Sequence, residues 1–451
     1  MNLIYKKAVG LIVALSIMMT FTVSVTASSQ TGAKTTIAKN VTSSTTASKT
    51  TNTTKSATKT TKGSDTGSTT KASESTKAAA TTTTTAENPT LDVPDISAGA
   101  AIVMDCDTGA VLYGLNENTQ MPMASTTKIM TCILALEAGD IGRTFTITEA
   151  CLEKLDGTLI GLEVGDKITI YDLCVAMMMW SGNDAANAAA VAVGGTIDDF
   201  VSMMNEKACE LGMLNTHFDT PSGLDQFSDG AHYSTAYDMA LLGKYAMQNS
   251  DFADIVNFKV RSIYYDDFPR GRNLITHNYL LQGQRFGYKG CDGIKTGVTS
   301  LAGECLVSHV TTDEGLSLVC VSLRDSSRWA NHRKLYDYAK SLYTQVSVDP
   351  DISEFGAVVV GGSQKTVQVE CNPDEKINLL KTQKNSVKKQ IVYDKFIYAP
   401  VETGDVVGYL QYVADGSIVA SYPITAAESI QATTGGWFSE YMQAIQYSAE
   451  R

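Results

Sequence analysis

The chain predicts an α+β protein: one antiparallel sheet flanked by helices, followed by a second, small all-β domain. Three observations lead there. β-type segments lie at both ends of a long stretch whose apolar spacing is otherwise helical. Strands that flank such a stretch can share one core only by pairing in an antiparallel sheet. After Asp349-Pro350 the pattern changes to short β-type runs separated by turn residues.

The elements follow in order. Lys6 and Lys7, an apolar run from Ala8 to about Val25 and the small residues Val25-Thr-Ala27 predict a signal peptide over residues 1–27. The chain is therefore expected to be exported, outside the cytoplasm. Residues 28–88 are Thr, Ser, Ala and Lys with almost no large apolar side chain, which predicts a disordered tether. A larger globular domain is expected over residues 89–346. It opens with a strand at Ala100–Asp105, a turn at Cys106-Asp-Thr-Gly109 and a strand at Ala110–Tyr113. From Ser125 to about Asn249 the pattern is mainly helical, punctuated at Gly139-Asp140, Gly194-Gly195 and Pro221-Ser-Gly223. Strands return at Gly303–Val310 and Leu316–Leu323, and a last helix is expected from Arg328 to about Val346. The small β domain is expected over 350–426. In the tail, 427–451, Trp437, Phe438, Tyr441, Met442 and Ile445 fall on one helical face.

Composition excludes several classes. The net charge is −12, but residues 1–27 carry +2 and residues 28–88 carry eight Lys against three acids, which leaves −19 on residues 89–451. So acidic a body argues against nucleic acid as a partner. The nine cysteines are scattered without close pairs, and Cys132 and Cys174 lie in apolar helical patterns, as buried small hydrophobes do. No Cys/His spacing matches a zinc site, and neither metal nor cofactor is expected.

Three short runs carry the chemistry: Ser125-Thr-Thr-Lys128, Ser181-Gly-Asn183 and Lys295-Thr-Gly297. The Ser-x-x-Lys pattern alone is weak, since it recurs at Ser56–Lys59, Ser68–Lys71 and Ser386–Lys389. Only the run at Ser125 leads directly into an apolar helical pattern and is followed, in order, by the other two runs, as in serine acyl transfer with a lysine base. One helical turn separates Ser125 from Lys128, so both project from one face. A lysine becomes a usable base when burial or a neighbouring cation lowers its pKa, and Lys295 could supply that cation. A hydroxyl at Ser181 could relay a proton to a leaving amine, and the Asn183 amide could hold a substrate carbonyl. Gly297 would let a substrate backbone approach an edge strand, while Lys295 and Thr296 offer a cation and a hydroxyl to a carboxylate. Each run also has a plain structural reading: a helix N-cap at Ser125, a loop turn at Ser181, a strand entry at Lys295.

The chain resembles the low-molecular-mass penicillin-binding proteins, specifically the D-alanyl-D-alanine carboxypeptidases. The likeness runs through Met123-Ala-Ser-Thr-Thr-Lys-Ile-Met-Thr131, Ser181-Gly-Asn-Asp-Ala-Ala186, Leu211-Gly-Met213, Thr216-His-Phe218, His232-Tyr-Ser-Thr-Ala236 and Asp292-Gly-Ile-Lys-Thr-Gly297. It implies that Ser125 is acylated, Lys128 is the base and Ser181 the proton relay. It also implies that Lys295, Thr296 and Arg328 hold a substrate carboxylate and that the N–H groups of Ser125 and Val298 form the oxyanion hole. Peptidoglycan peptide stems are then the substrate and β-lactams covalent inhibitors. Val298 stands where some relatives have His after Lys-Thr-Gly, which leaves only a backbone role there. The tail, with Glu440 and Glu450, lacks the basic face of a membrane-binding helix. The rival readings are a serine β-lactamase, whose nearest deacylating run is Glu210-Leu-Gly-Met-Leu-Asn215, one residue too long, and a non-catalytic penicillin-binding wall protein.

Overall fold

The computed structural model describes residues 91–433, apart from 229, 267, 354 and 395, together with 441 and 442. The expected signal peptide, the tether and nearly all of the expected tail helix lie outside the described residues.

Chain order in the larger region begins with β1 (Ala100–Asp105) and β2 (Val111–Leu115), then a 3₁₀ turn (Ala124–Thr127) that runs into α1 (Lys128–Glu137). A short hairpin follows, β3 (Thr144–Thr146) with β4 (Lys167–Thr169), and then α2 (Ile170–Val175), a π-helical turn (Ala176–Trp180), α3 (Asn183–Gly194) and α4 (Ile197–Glu210). After α5 (Ala236–Ala246) and α6 (Ser250–Asn257) comes a second hairpin, β5 (Val260–Tyr265) with β6 (Phe268–Ile275). β7 (Cys291–Thr299), β8 (Gly303–Thr311), β9 (Ser317–Leu323) and α7 (Arg328–Ser341) complete the region.

The five main strands form one sheet in the order β2-β1-β9-β8-β7. All its pairs are antiparallel, with Ala100 opposite Leu323 where the two ends of the region meet. Successive side chains point to opposite faces. Ile102, Met104, Val307, Val319 and Val321 pack under the helical middle with Ile129, Met130 and Ile133. Ala101, Val103, Leu306, Val310 and Leu318 pack on the other face against Leu335, Tyr336 and Ala339 of α7. Cover on both faces explains why β1 and β9 are apolar at most positions, as buried strands are. Helix starts are capped by side chains: Thr196, Thr235 and Asn249 accept from Asp199, Asp238 and Phe252 N–H groups.

The smaller region holds a three-stranded and a four-stranded sheet around Ile377, Leu379, Leu410, Tyr412, Ile424 and Ile430. Five expectations need correction. The last helix stops at Ser341, because Tyr343–Ser347 is a strand paired with Lys376–Leu380. An alternating run finds a partner strand there, and pairing overrides helix propensity. The small β region therefore starts before residue 350. It also reaches past 426, since Ile430 bridges to Val401 and Ala432 to Gly362. The helical middle contains the hairpin β3–β4, and Lys295-Thr-Gly297 lies inside β7 rather than ahead of a strand. All nine cysteines are free thiols, six of them buried.

Candidate active site

Ser125 sits in the 3₁₀ turn ahead of α1, on a backbone bent by Ala124 in the left-handed region at φ 50°. That conformation is strained for a residue with a side chain. The N-cap reading of Ser125 does not hold: no side chain caps this start. Its hydroxyl instead faces Lys128, whose Nζ lies 3.0 Å from Ser125 Oγ.

Lys128 is fully buried. Its Nζ also donates to Asn183 Oδ1 and to the Ser222 carbonyl, both at 2.6 Å. These two partners can only accept. A neutral amine has two N–H groups and one lone pair, so with both N–H groups directed to Asn183 and Ser222 the lone pair is left for the one partner able to donate, Ser125. Burial first, then the positive charge of Lys295, hold the Lys128 pKa well below that of an ordinary lysine, against the opposing pull of Asp184. The arrangement can therefore take up the Ser125 proton.

Ser181 follows the π-helical turn in the left-handed conformation (φ 65°), which ends that turn and starts α3 two residues later. Asn183 is held at both ends of its amide. Its Oδ1 serves Lys128, and its Nδ2 donates to the Asp156 carbonyl at 2.6 Å. It holds the lysine through Oδ1, and its second Nδ2–H stays available to a substrate carbonyl. Next to it, the buried Asp184 carboxylate accepts from the N–H groups of Ile160, Gly161 and Leu162, so one side chain fixes the whole segment before β4.

Opposite lies β7, an edge strand. A Cβ on Gly297 would come 2.9 Å from the Met123 carbonyl and 3.1 Å from Ser125 N. Only glycine lets the strand reach the turn that carries Ser125. The Lys295 side chain is buried and donates to the Thr296 carbonyl at 2.9 Å. Burial, then repulsion from Arg328, bring its pKa down to about 7. Arg328 opens α7 with its guanidinium over Trp329, 5.0 Å from the ring centroid. Its Nη1 is 3.1 Å from Glu304 Oε2 but not aligned for a hydrogen bond, and Nε and Nη1 are buried without an acceptor among the described residues. The Val298 side chain is exposed.

So Ser125, Lys128 and Asn183 meet through hydrogen bonds, Gly297 abuts Ser125, and along Arg328, Lys295 and Lys128 each positive charge lowers the pKa of the next amine. The Ser222 carbonyl and Asp184 were missed. Pro221-Ser-Gly223 reads as a turn, and nothing in its residue types signals a lysine acceptor. Glu210 ends α4 in an ion pair with Lys207 at 3.0 Å, occupied at the surface.

A family model described as D-alanyl-D-alanine carboxypeptidase matches residues 82–327, and one described as the C-terminal domain of penicillin-binding protein 5 matches 356–432. D-alanyl-D-alanine carboxypeptidase DacF of Bacillus subtilis (strain 168) is 33% identical over 350 residues, covering 74% of this chain and 86% of that protein. D-alanyl-D-alanine carboxypeptidase DacC of Escherichia coli (strain K12) is 29% identical over 78% of this chain and 88% of its own length. The crystal structure of a peptidoglycan synthesis regulatory factor (PBP3) from Streptococcus pneumoniae matches with TM-score 0.62 and 26% identity, over 75% of this chain and all of that one. With a serine hydrogen-bonded to a buried lysine facing an edge strand and a family match over more than half its length, the chain belongs to the serine D-alanyl-D-alanine carboxypeptidases of the penicillin-binding-protein family.

Proposed function

We propose that this carboxypeptidase removes the terminal D-alanine of peptidoglycan pentapeptide stems through an acyl-enzyme on Ser125. The observation that carries the assignment is the buried Lys128 Nζ, 3.0 Å from Ser125 Oγ with acceptors already placed for both N–H groups of the neutral amine. Lys128 takes the Ser125 proton while Oγ attacks the carbonyl of the penultimate D-alanine. The N–H groups of Ser125 and Val298 receive the oxyanion. As the C–N bond breaks, Ser181 passes a proton to the departing amine, and water then hydrolyses the ester with Lys128 again as base. Lys295, Thr296 and the buried, under-used guanidinium of Arg328 suit the free carboxylate of the substrate. A β-lactam would follow the same first step and stay attached. The site of action is the exported cell wall, in keeping with a substrate found outside the cytoplasmic membrane.

The test is release of free D-alanine from a pentapeptide, with labelled penicillin in parallel. Ser125→Ala should lose both. An adduct mapped to another serine would overturn the assignment, and turnover of penicillin faster than of pentapeptide would favour a β-lactamase.

A further inference from the structure

His232 is buried on the far side of the Ser125–Lys128 turn and takes no part in the chemistry above. Its two ring nitrogens join the two pieces of chain that meet at Lys128. Nδ1 accepts from the Asp219 N–H at 3.0 Å, and Nε2 lies 2.8 Å from Thr127 Oγ1. Thr127 Oγ1 in turn donates to the Ala124 carbonyl at 2.7 Å. Its only proton is thereby spent, so the hydroxyl must accept from an Nε2–H. Asp219 N–H needs a lone pair on Nδ1. Both ends agree on one neutral tautomer, and a doubly protonated ring would break the Asp219 bond. Burial keeps the ring neutral, with a pKa of about 4, although Asp219 pulls upward; His217 and Lys128 add to the downward shift.

The segment beyond Asp219 is the one that supplies Lys128 with its backbone acceptor. Pro221 O accepts from Thr131 Oγ1 at 2.6 Å, Ser222 O from Lys128 Nζ at 2.6 Å, and Gly223 N–H donates to Thr220 Oγ1 at 2.9 Å. Gly223, at φ +84°, lies so close that a Cβ would come 2.0 Å from the Ala124 carbonyl. The separation between α1 and this segment thus sets the position of the Ser222 carbonyl and shuts water away from Lys128.

We propose that His232 is a positioning residue for acylation, clamping Thr127 to the Asp219–Gly223 segment so that the Ser222 carbonyl holds Lys128 dry and aimed at Ser125. The inference rests on Lys128 being the base. Loosening the clamp lets water reach Lys128 and raises its pKa, because burial is the first cause of its depression, ahead of Lys295 and against Asp184.

The experiment measures the rate of covalent labelling by a penicillin against pH, with the KM for pentapeptide, in full-length protein. His232→Gln keeps a donor near Thr127 but loses the acceptor for Asp219; Thr127→Val removes the hydroxyl at nearly constant volume; Thr127→Ser restores it. The first two should lower acylation about ten- to hundred-fold, the scale of a small misplacement, with KM little changed and the rising limb of the pH profile moved up by about one unit. Thr127→Ser should restore both rate and profile. A Thr127→Val enzyme with normal rate and profile would overturn the proposal, as would a slower one with an unmoved limb or one that Thr127→Ser fails to rescue. A second measurement needs no variant: ¹⁵N shifts of His232 should report Nε2–H, neutral down to about pH 5, and an Nδ1–H tautomer would refute the clamp. If Lys128→Arg acylates normally, the base assignment itself fails. If Lys128→Arg is dead and Thr127→Val normal, only the clamp does.

Discussion

Residues 125–128 and residues 386–389 carry the same Ser-x-x-Lys spacing in two regions of one molecule. In the larger region the run forms a helical turn, so serine and lysine share a face and the amine is buried against two carbonyl oxygens. In the smaller region it leads into a strand: Ser386 donates to the Gln383 carbonyl at 3.0 Å, while Lys389 pairs with Asp349 at 3.0 Å near the surface. The two cores differ in the same sense. The larger region buries Lys128, Lys295, Arg328, Asp184 and His332, whereas every buried side chain described beyond residue 342 is apolar or tyrosine. Spacing alone makes no base. Burial that neutralises a cation, with acceptors placed to aim it, does.

The comparison breaks most severely at Lys128. Lys128→Arg should lower penicillin acylation by about two orders of magnitude or more, the scale of lost general-base catalysis, because arginine keeps its proton. Lys389→Arg should leave the rate unchanged in the same assay. Equal losses would mean that the region does not matter.

Next comes an apolar deletion in the smaller core. Leu410→Ala removes a fully buried side chain and should cost about 2–5 kcal/mol in denaturant unfolding of that region. D-alanine release from a small peptide should persist, since none of the site side chains lies there. Loss of that activity in protein whose larger region stays folded would show that the site depends on its neighbour.

A smaller effect, with a definite sign, concerns Lys295. Its folded pKa of about 7 lies below the unfolded value near 10.5, so the unfolded chain binds more protons throughout that window. Stability associated with this group is complete above about pH 10.5 and is lost as pH falls toward 7. Lys295→Met should therefore raise stability at pH 7 by roughly 1–3 kcal/mol, as apolar replacement of buried charge often does. It should also flatten the rise of stability between pH 7 and 10 while abolishing turnover. Thermal unfolding across that range would show it, and an unaltered slope would refute the burial argument.

The smallest effect belongs to the Lys389–Asp349 pair. Lys389→Ala should change stability by less than about 1 kcal/mol, in keeping with a surface ion pair.

Much of the fold could be read from residue pattern. β1 and β9 announce themselves by runs of apolar residues bounded by turns, and the two ends of the larger region had to meet in one sheet. The hairpins β3–β4 and β5–β6 were not legible: Thr144–Thr146 and Lys167–Thr169 are too short and polar to show a period. Tyr343–Ser347 read as the end of a helix because its partner strand, Lys376–Leu380, lies some thirty residues further on.

The site divides the same way. Ser125, Lys128, Ser181 and Lys295 stand out because the chemistry demands particular residue types at short spacings, and short spacings survive in one dimension. By itself the sequence determined the α+β class, the order of the motifs and the pairing of Ser125 with Lys128 on one helical face, all consequences of local periodicity. Tertiary structure decided which Ser-x-x-Lys run buries its lysine and that the Asn183 amide oxygen grips it. It also brought the Ser222 carbonyl, 94 positions away, to the amine. A backbone carbonyl has no residue type to betray it, and desolvation is a property of everything packed around a group.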